Sequence, residues 1–190
     1  MDSLVNSVIT TCWVVFFVVW IVAAKWTKRT AYRETPSQRL RYVVPIVIGW
    51  ILVARGRRFG YPLNVKVIPH TPLVLAVAAI LCACGVVFCV WARIVLGRNW
   101  SGTVTVKEGH ELIVRGPYRL VRHPIYTGLL VMLVATAIQH GRIAAMIGVT
   151  LVFVSFWIKL SGEEELMLKQ FPNEYAAYRR RVKRIIPFVI

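Results

Sequence analysis

Residues 124–160 read PIYTGLLVMLVATAIQHGRIAAMIGVTLVFVSFWIKL, two apolar runs joined by His140-Gly141-Arg142. The runs 124–139 and 143–160 each approach the length of about 20 residues that a helix needs to cross a bilayer. A connection this short between them predicts an antiparallel helical hairpin.

Three further apolar stretches precede the hairpin. They are 4–24, which has no charged residue, 42–54, which has only 13 residues, and 72–92. The stretch 42–54 is either a short span extended by its flanking arginines or a re-entrant segment. The first stretch lacks a preceding basic region, so we expect that it is not a cleaved signal peptide. The sequence thus predicts an all-α integral membrane protein with five transmembrane helices.

The composition separates this chain from soluble proteins. Of the 190 residues, 57% are apolar and 17% are charged, and the mean hydropathy is +0.62. Soluble domains have about 45–50% apolar and about 25% charged residues. The formal net charge is +16. In so apolar a chain, this excess indicates basic loops that contact anionic lipid headgroups, and we expect no nucleic-acid partner.

The basic residues are divided unequally between the two sides that five spans create. Nineteen of the 24 Lys and Arg residues fall on one side, in segments 25–41, 93–122 and from Lys159 onward. Because the basic side is normally cytoplasmic, the N-terminus is predicted outside and the C-terminus in the cytoplasm. Segments 93–123 and 161–190 then share the cytoplasmic face. We expect the first to be mostly extended and irregular, and we expect the polar chemistry there.

Other signals have ordinary explanations. The four cysteines lie in predicted spans without a nearby histidine, so we expect neither a disulfide nor a metal site. The triplet Asn99-Trp100-Ser101 matches a glycosylation acceptor, but it falls on the predicted cytoplasmic side and is expected to be unmodified. The chain has no glycine-rich phosphate-binding motif.

The most informative segment is GPYRLVRHPIYTG, residues 116–128. Pro117 and Pro124 interrupt helix propagation, and Pro124 suits the first turn of the span that follows. Arg122, His123 and the tyrosines then meet at a membrane–water boundary. Such a cluster is either an aromatic and basic belt or part of a binding site.

A second cluster lies where the last span leaves the membrane. Lys159 and Glu163 are four residues apart and share a helix face, whereas Glu164 and Glu165 turn elsewhere. The carboxylates form either a solvated collar or a functional site, since ionisable residues near a bilayer core are costly. The helix is expected to continue and to be followed by an amphipathic segment with one aromatic stripe, formed by Phe171, Tyr175 and Tyr178.

These clusters, in this order, resemble the isoprenylcysteine carboxyl methyltransferases and the related phospholipid N-methyltransferases. That family carries Arg-His-Pro-x-Tyr-x-Gly, a helical hairpin, a Glu-Glu pair and an aromatic tail. Here these parts are 122–128, the hairpin, Glu163-Glu164, and the tail ending in Pro187-Phe188. The resemblance implies an S-adenosylmethionine-dependent enzyme with its cofactor at the cytoplasmic face. It divides the chain into residues 1–96, with three transmembrane helices, and 97–190, a methyltransferase core. The cofactor pocket is then built from the 97–123 loop and the C-terminal helical tail.

The resemblance also implies roles for individual residues. Lys159 and Glu163 are the expected catalytic pair, although the family has Arg at the first position and Lys lacks its bidentate fork. Pro172 stands where the family has Gly, and no metal is implied. The expected cofactor-binding residues are Thr103, His110, Glu111, Leu112, Ile113, Tyr118, His123, Pro124, Ile125, Tyr126 and Glu163.

The chemistry of these residues suits such a reaction. Adenosylmethionine is a sulfonium cation without phosphate, which a carboxylate such as Glu163 and tyrosine faces can bind. A carboxylate acceptor needs a cation, which Lys159 supplies, whereas an amine acceptor needs a base. We therefore predict a lipophilic or lipidated acceptor, first the α-carboxylate of a prenylcysteine-like molecule and second a phospholipid amine.

Two other classes of protein remain as hypotheses. A sterol-reductase-like membrane enzyme would use NADPH, with the phosphate bound by Arg115, Arg119 and Arg122. A non-catalytic membrane adaptor would use its basic collar to hold anionic lipid.

Overall fold

The computed structural model describes residues 2–107 and 111–189, which form six α-helices and one two-stranded antiparallel ribbon. The helices are α1 Asp2–Ala24, α2 Pro36–Arg55, α3 Pro72–Leu96, α4 Pro124–His140, α5 Ile143–Gln170 and α6 Pro172–Arg181. The strands are β1 Thr30–Arg33 and β2 Thr105–Lys107. Short 3-10 turns occupy Gly56–Arg58, Gly97–Asn99 and Gly116–Arg119.

Four of the described helices are long and apolar enough to cross a membrane. They are α1, α3, α5 and α2, the last together with its following turn. Helix α4 is apolar but has only 17 residues. The prediction of a helical fold with helices of membrane-spanning length is thereby confirmed for four helices. The hairpin is confirmed too, because Gly141 ends α4 at φ 64° and α5 begins two residues later.

Helix α2 is longer than the apolar stretch 42–54 indicated, with 20 residues. It begins at Pro36 because Thr35 caps it. The Thr35 hydroxyl accepts a hydrogen bond from the Gln38 amide at 3.3 Å, and the Gln38 side chain accepts one from the Thr35 amide at 3.0 Å. Arg39 and Arg41 are exposed on this helix, so their charges do not end it. The helix thus extends beyond both ends of the apolar stretch, as the alternative of a short span extended by its flanking arginines predicts.

The first five helices run between two ends of the molecule. At one end, Gln139 of α4 donates to Asn6 of α1 at 3.2 Å, and the amide of Ala144, the second residue of α5, donates to the Leu63 carbonyl in the α2–α3 loop at 3.0 Å. At the other end, Arg93 of α3 donates to the carbonyl of Ala23 at 2.7 Å. We call this second end the site end, because the polar residues of the two sequence clusters meet there.

Glycines allow two pairs of helices to approach closely. A Cβ on Gly85 of α3 would lie 2.9 Å from the Gly128 carbonyl oxygen of α4, and one on Gly148 of α5 would lie 2.5 Å from the Gly49 oxygen of α2. Contacts this short admit no side chain, so each pair packs backbone against backbone. The pair α3–α4 thereby fixes the start of α4, which carries the Arg-His-Pro motif.

Segment 97–123 is largely irregular, as the sequence predicts, but one part of it is paired. Strand β2 lies beside β1, so the α1–α2 linker holds the loop that follows α3. The Lys28 amide also donates to the Arg98 carbonyl at 2.9 Å. This ribbon was not predicted, and it makes the N-terminal half of the chain part of the site end.

Candidate active site

A cavity of about 310 Å³ lies at the site end, between the 99–126 loop and helices α4, α5 and α6. Ten of the predicted cofactor-binding residues line it, together with Lys159; the eleventh, His110, lies outside the described residues. The ten are Thr103, Glu111, Leu112, Ile113, Tyr118, His123, Pro124, Ile125, Tyr126 and Glu163. Segments far apart in the sequence therefore share one pocket, of a size typical of small-molecule sites.

Glu163 presents the carboxylate of this cavity. The Tyr126 hydroxyl donates to Oε1 at 2.7 Å, and Nζ of Lys159 lies 3.8 Å from the same oxygen. Nδ1 of His123 lies 3.7 Å from Oε2. The carboxylate is thus oriented from three sides while its side chain stays 22% exposed toward the cavity. Such a group can bind a ligand cation.

Lys159 is held inside the protein rather than extended into solvent. Its residue is 8% exposed, and Nζ donates to the Gly102 carbonyl at 2.7 Å. The ammonium also lies 5.4 Å from the ring centroid of Tyr42 and 5.3 Å from that of Tyr126. A cation between two aromatic faces is stabilised without a second carboxylate, so it keeps capacity for an anionic ligand.

Glu164 is the residue that sequence reasoning missed. It is 2% exposed and accepts hydrogen bonds from Arg122 Nε at 2.9 Å and from Arg184 Nη2 at 2.8 Å. Nε2 of His123 lies 3.1 Å from its Oε1. The sequence carried a signal, since Glu164 is the middle one of three consecutive acids and a carboxylate there needs partners, but helix spacing alone did not identify them.

Backbone and side-chain hydrogen bonds hold the tail of the chain against residues 118–123. The amides of Arg122 and His123 donate to the carbonyls of Lys183 and Arg184 at 2.8 and 3.0 Å. The Tyr178 hydroxyl donates to the Tyr118 carbonyl at 2.5 Å. Burial raises the pKa of the Tyr118 and Tyr178 phenols, so both remain protonated donors. The expected amphipathic segment is α6, whose Tyr175 and Tyr178 are buried.

Two polar atoms in the cavity wall lack partners. Asn99 Oδ1 and Thr105 Oγ1 are buried, and no group within residues 2–107 and 111–189 hydrogen-bonds to them. Both residues line the cavity. Because buried polar atoms without partners are costly, these two atoms are suited to a polar ligand.

The described residues contain no group of three or more His, Cys, Asp and Glu side chains placed to hold a metal ion. The cavity instead offers a carboxylate, an ammonium, tyrosine hydroxyls, and aromatic rings from Trp20 and Trp100.

Comparison with known proteins places this geometry in context. Residues 73–174 match the family model described as phospholipid methyltransferase. The chain is 34% identical to a protein of Oryza sativa subsp. indica named probable protein-S-isoprenylcysteine O-methyltransferase. The 101 aligned residues are 52% of this chain and 53% of that protein. It is 33% identical over 101 residues to protein-S-isoprenylcysteine O-methyltransferase B of Arabidopsis thaliana, and these residues are 52% of this chain and 51% of that protein.

A bacterial protein is also similar. Methanethiol S-methyltransferase 1 of Bradyrhizobium diazoefficiens is 34% identical over 71 residues, which are 37% of this chain and 24% of that protein. The chain spans about half the length of the curated plant relatives it matches.

Proposed function

This chain belongs to the phospholipid methyltransferase family, and from that premise we propose that it is a membrane methyltransferase. It uses S-adenosylmethionine and methylates a lipophilic acceptor, foremost the α-carboxylate of a prenylcysteine-like molecule. The reaction takes place in the cavity at the site end. The names of the plant relatives support this class of acceptor.

The observation that carries the proposal is the surrounding of Glu163. The Glu163 carboxylate faces a cavity of about 310 Å³. It accepts a hydrogen bond from Tyr126 and lies within 4 Å of charged or polar nitrogens of His123 and Lys159. The Glu163 carboxylate can bind a cationic group of a ligand, and the Lys159 ammonium can bind an anionic one. A reaction that brings a sulfonium donor to a carboxylate acceptor needs both.

The residues present fit adenosylmethionine. Glu163 is suited to its ammonium group, and the unpartnered oxygens of Asn99 and Thr105 are suited to donors on the amino acid, ribose or adenine. Tyrosine and tryptophan rings suit the sulfonium and the adenine plane. When bound, the cofactor supplies an electrophilic methyl group that passes to the acceptor oxygen as its carbon–sulfur bond breaks, leaving a neutral thioether.

The role of the protein is then to bind, align and dehydrate. Lys159 orients a carboxylate that is already ionised near neutral pH, so no base has to remove a proton. Helix α6 contributes Tyr175 and Tyr178 to the cavity wall, and alignment of the two reactants lowers the barrier.

A phospholipid amine is the second candidate acceptor, supported by the description of the family. The buried ammonium of Lys159 opposes it, because two cations a few ångströms apart repel each other. The methyltransferase names among the relatives favour both acceptors over the sterol-reductase-like alternative.

We also propose that the five helices α1 to α5 all cross the membrane, with the site end in the cytoplasm. Helix α4 is short, but its first residue lies at the site end and its last lies beside the start of α1. The excess of Lys and Arg in the segments at the site end supports the orientation. Cysteine labelling at exposed Tyr61, from outside intact cells, tests it, since Tyr61 lies on the predicted outer side.

The direct test is a calorimetric titration of the detergent-purified full chain with S-adenosylhomocysteine. We expect micromolar binding by the wild type and a loss of about tenfold or more in Glu163→Gln, since a charge-assisted contact contributes about 1.5–3 kcal/mol. Glu174→Gln is the matched control, because Glu174 is exposed on α6. Absence of binding by folded wild-type protein would refute the proposal.

A further inference from the structure

Basic side chains gather at the end of the molecule opposite the site end, which we call the far end. It consists of the α2–α3 loop, residues 56–71, the α4–α5 turn, residues 140–142, and the helix ends that these join. Of the described acids, only Asp2 at the start of α1 belongs to this end. The basic residues there are Arg55, Arg57, Arg58, Lys66, His70, His140 and Arg142.

Backbone hydrogen bonds fix the loop and the turn of the far end against each other. The Gly141 carbonyl accepts from the amides of Val67 and Ile68 at 2.7 and 3.2 Å. In the other direction, the Ile143 amide donates to the Val65 carbonyl at 3.1 Å. The basic side chains of the two segments are therefore carried by one rigid frame.

Four of these side chains lie close together on the frame. A Cβ on Gly141 would lie 3.2 Å from Nε2 of His70, so this ring packs beside the turn. A Cβ on the glycine that precedes Arg57 would lie 3.9 Å from Cδ of Arg142. The fourth side chain, His140, lies within electrostatic range of the other three. The loop, the end of α2 and the turn thus bring two guanidinium groups and two imidazoles to one place.

The protein does not neutralise this cluster with an acid. In the part of the chain that the structure describes, none of the ion pairs involves any of the four side chains. Arg142 Nη1 donates to the Asn64 carbonyl, whereas its Nε and the Nε2 of His70 are buried without a hydrogen-bond partner. A guanidinium that loses water and gains no opposite charge is costly. An anion at its remaining N–H groups would reduce this cost.

The length of α4 brings the cluster to the level of lipid phosphates. The helix has 17 residues and is about 25 Å long, whereas the hydrocarbon layer is about 30 Å thick. In the membrane crossing proposed above, so short a span is accommodated by local thinning, which brings phosphates to its ends. His140 ends α4 and Arg142 precedes α5. Ile51 and Ile147, on the adjacent turns of α2 and α5, are exposed and offer apolar surface to acyl chains.

We propose that the far end binds the phosphate group of a phospholipid. The guanidinium groups of Arg57 and Arg142 hold the phosphate beside His140, and the acyl chains lie along the exposed faces of α2 and α5. The bound lipid stabilises the junction between the α2–α3 loop and the hairpin turn. This site is separate from the cavity at the site end, so the inference rests on the membrane crossing and not on methyl transfer.

The experiment measures lipid binding to the detergent-purified full chain by native mass spectrometry. Dioctanoyl phosphatidylglycerol is titrated, and the affinity for the first bound lipid is recorded. Dioctanoylglycerol, which has the same chains without phosphate, tests the need for the anion, and inorganic phosphate tests the need for the chains. We expect the wild type to bind phosphatidylglycerol about tenfold or more tightly than either of the other two.

Two variants remove the arginines one at a time. Arg57 is exposed, so Arg57→Gln should fold normally and weaken the first phosphatidylglycerol by about fivefold, as expected for one charge near a lipid surface. Arg142→Gln should weaken it by about tenfold or more, since a charge-assisted hydrogen bond contributes more. Arg180→Gln is the matched control, because it removes an exposed charge of α6 at the site end, and it should match the wild type.

A melting curve provides the second readout. Phosphatidylglycerol should raise the melting temperature of the wild type and of Arg180→Gln, and should raise that of Arg57→Gln by less. Melting without lipid shows whether each variant is folded, and Arg57→Gln decides the matter if Arg142→Gln does not fold.

Several results would overturn the site. Equal lipid affinity in the wild type and Arg57→Gln, or an equal loss in Arg180→Gln, would show that only general surface charge is involved. Equal affinity for dioctanoylglycerol would refute recognition of a phosphate, and equal affinity for inorganic phosphate would refute a lipid as its source. None of these measurements uses a methyl donor, so a failure here leaves the proposed methyl transfer untouched.

Discussion

Replacing Glu164 by glutamine should release residues 183–185 from the Arg-His-Pro segment. The carboxylate holds Arg122 at 2.9 Å and Arg184 at 2.8 Å, and the three side chains are only 2–11% exposed. Glutamine keeps one acceptor oxygen, so only one of these two guanidinium groups retains its acceptor. The amide N–H of the glutamine faces the other guanidinium, and neither group can accept a hydrogen bond there. Breaking a buried pair in this way costs about 3–5 kcal/mol. Because these bonds anchor residues 183–185, we expect the loss to appear as local opening of the tail.

A loss of about 3 kcal/mol corresponds to an increase of about two orders of magnitude in the opened population. Trypsin cleavage within residues 179–184, followed by mass spectrometry on detergent-solubilised protein, measures this increase. Glu165→Gln is the matched control, since Glu165 pairs with Lys169 at the exposed surface and such pairs add little stability. Equal cleavage rates for Glu164→Gln and the wild type would refute the anchoring role of this carboxylate.

Three further outcomes follow from the same contacts. Gly85→Ala places a Cβ 2.9 Å from the Gly128 oxygen and should lower the free energy of unfolding by about 1–3 kcal/mol, measured by thermal melting in detergent; an unchanged midpoint would contradict the close α3–α4 packing. Burial raises the pKa of Tyr178 above the ordinary phenol value of about 10. As the pH rises above that value, the unfolded chain therefore loses this proton before the folded chain does, and the free energy of unfolding falls. Tyr178→Phe should reduce that fall between about pH 10 and 11; an identical pH profile of the melting temperature argues against it. Lys159→Met should lower kcat/KM for N-acetyl-S-farnesyl-cysteine by about 10–100-fold, whereas Lys159→Arg keeps the charge and should keep part of the activity. Equal kcat/KM values for the two variants would show that the cation is not needed.

The helices of this fold could be predicted because the membrane imposes a simple rule on sequence. Apolar runs of sufficient length identified α1, α3 and α5, and the helical hairpin was confirmed. The start of α2 was not found, because Arg41 was taken as the residue that flanks the span. An arginine can lie on the exposed side of a helix whose cap is further upstream, and Thr35 with Gln38 forms that cap.

The candidate site was predicted in part. The family resemblance was confirmed, and ten of the eleven positions it supplied for the cofactor line one cavity, although their roles stay predictions. Glu164 was missed because its partners, Arg122 and Arg184, come from segments 42 and 20 residues away in the sequence. The division of the chain at residue 96 also stays a prediction, and Trp20 crosses it to line the cavity.

The docking of residues 183–185 against Arg122 and His123 has a consequence for biosynthesis. A nascent chain emerges from its N-terminus onward, so the Arg-His-Pro segment and Glu164 are already made while Arg184 is still in the ribosome. Until Arg184 emerges, that carboxylate lacks one of the guanidinium partners that the structure shows for it, which are Arg122, Arg179 and Arg184. The bonds that hold residues 183–185 in place therefore form only after helices α1 to α5 have been made.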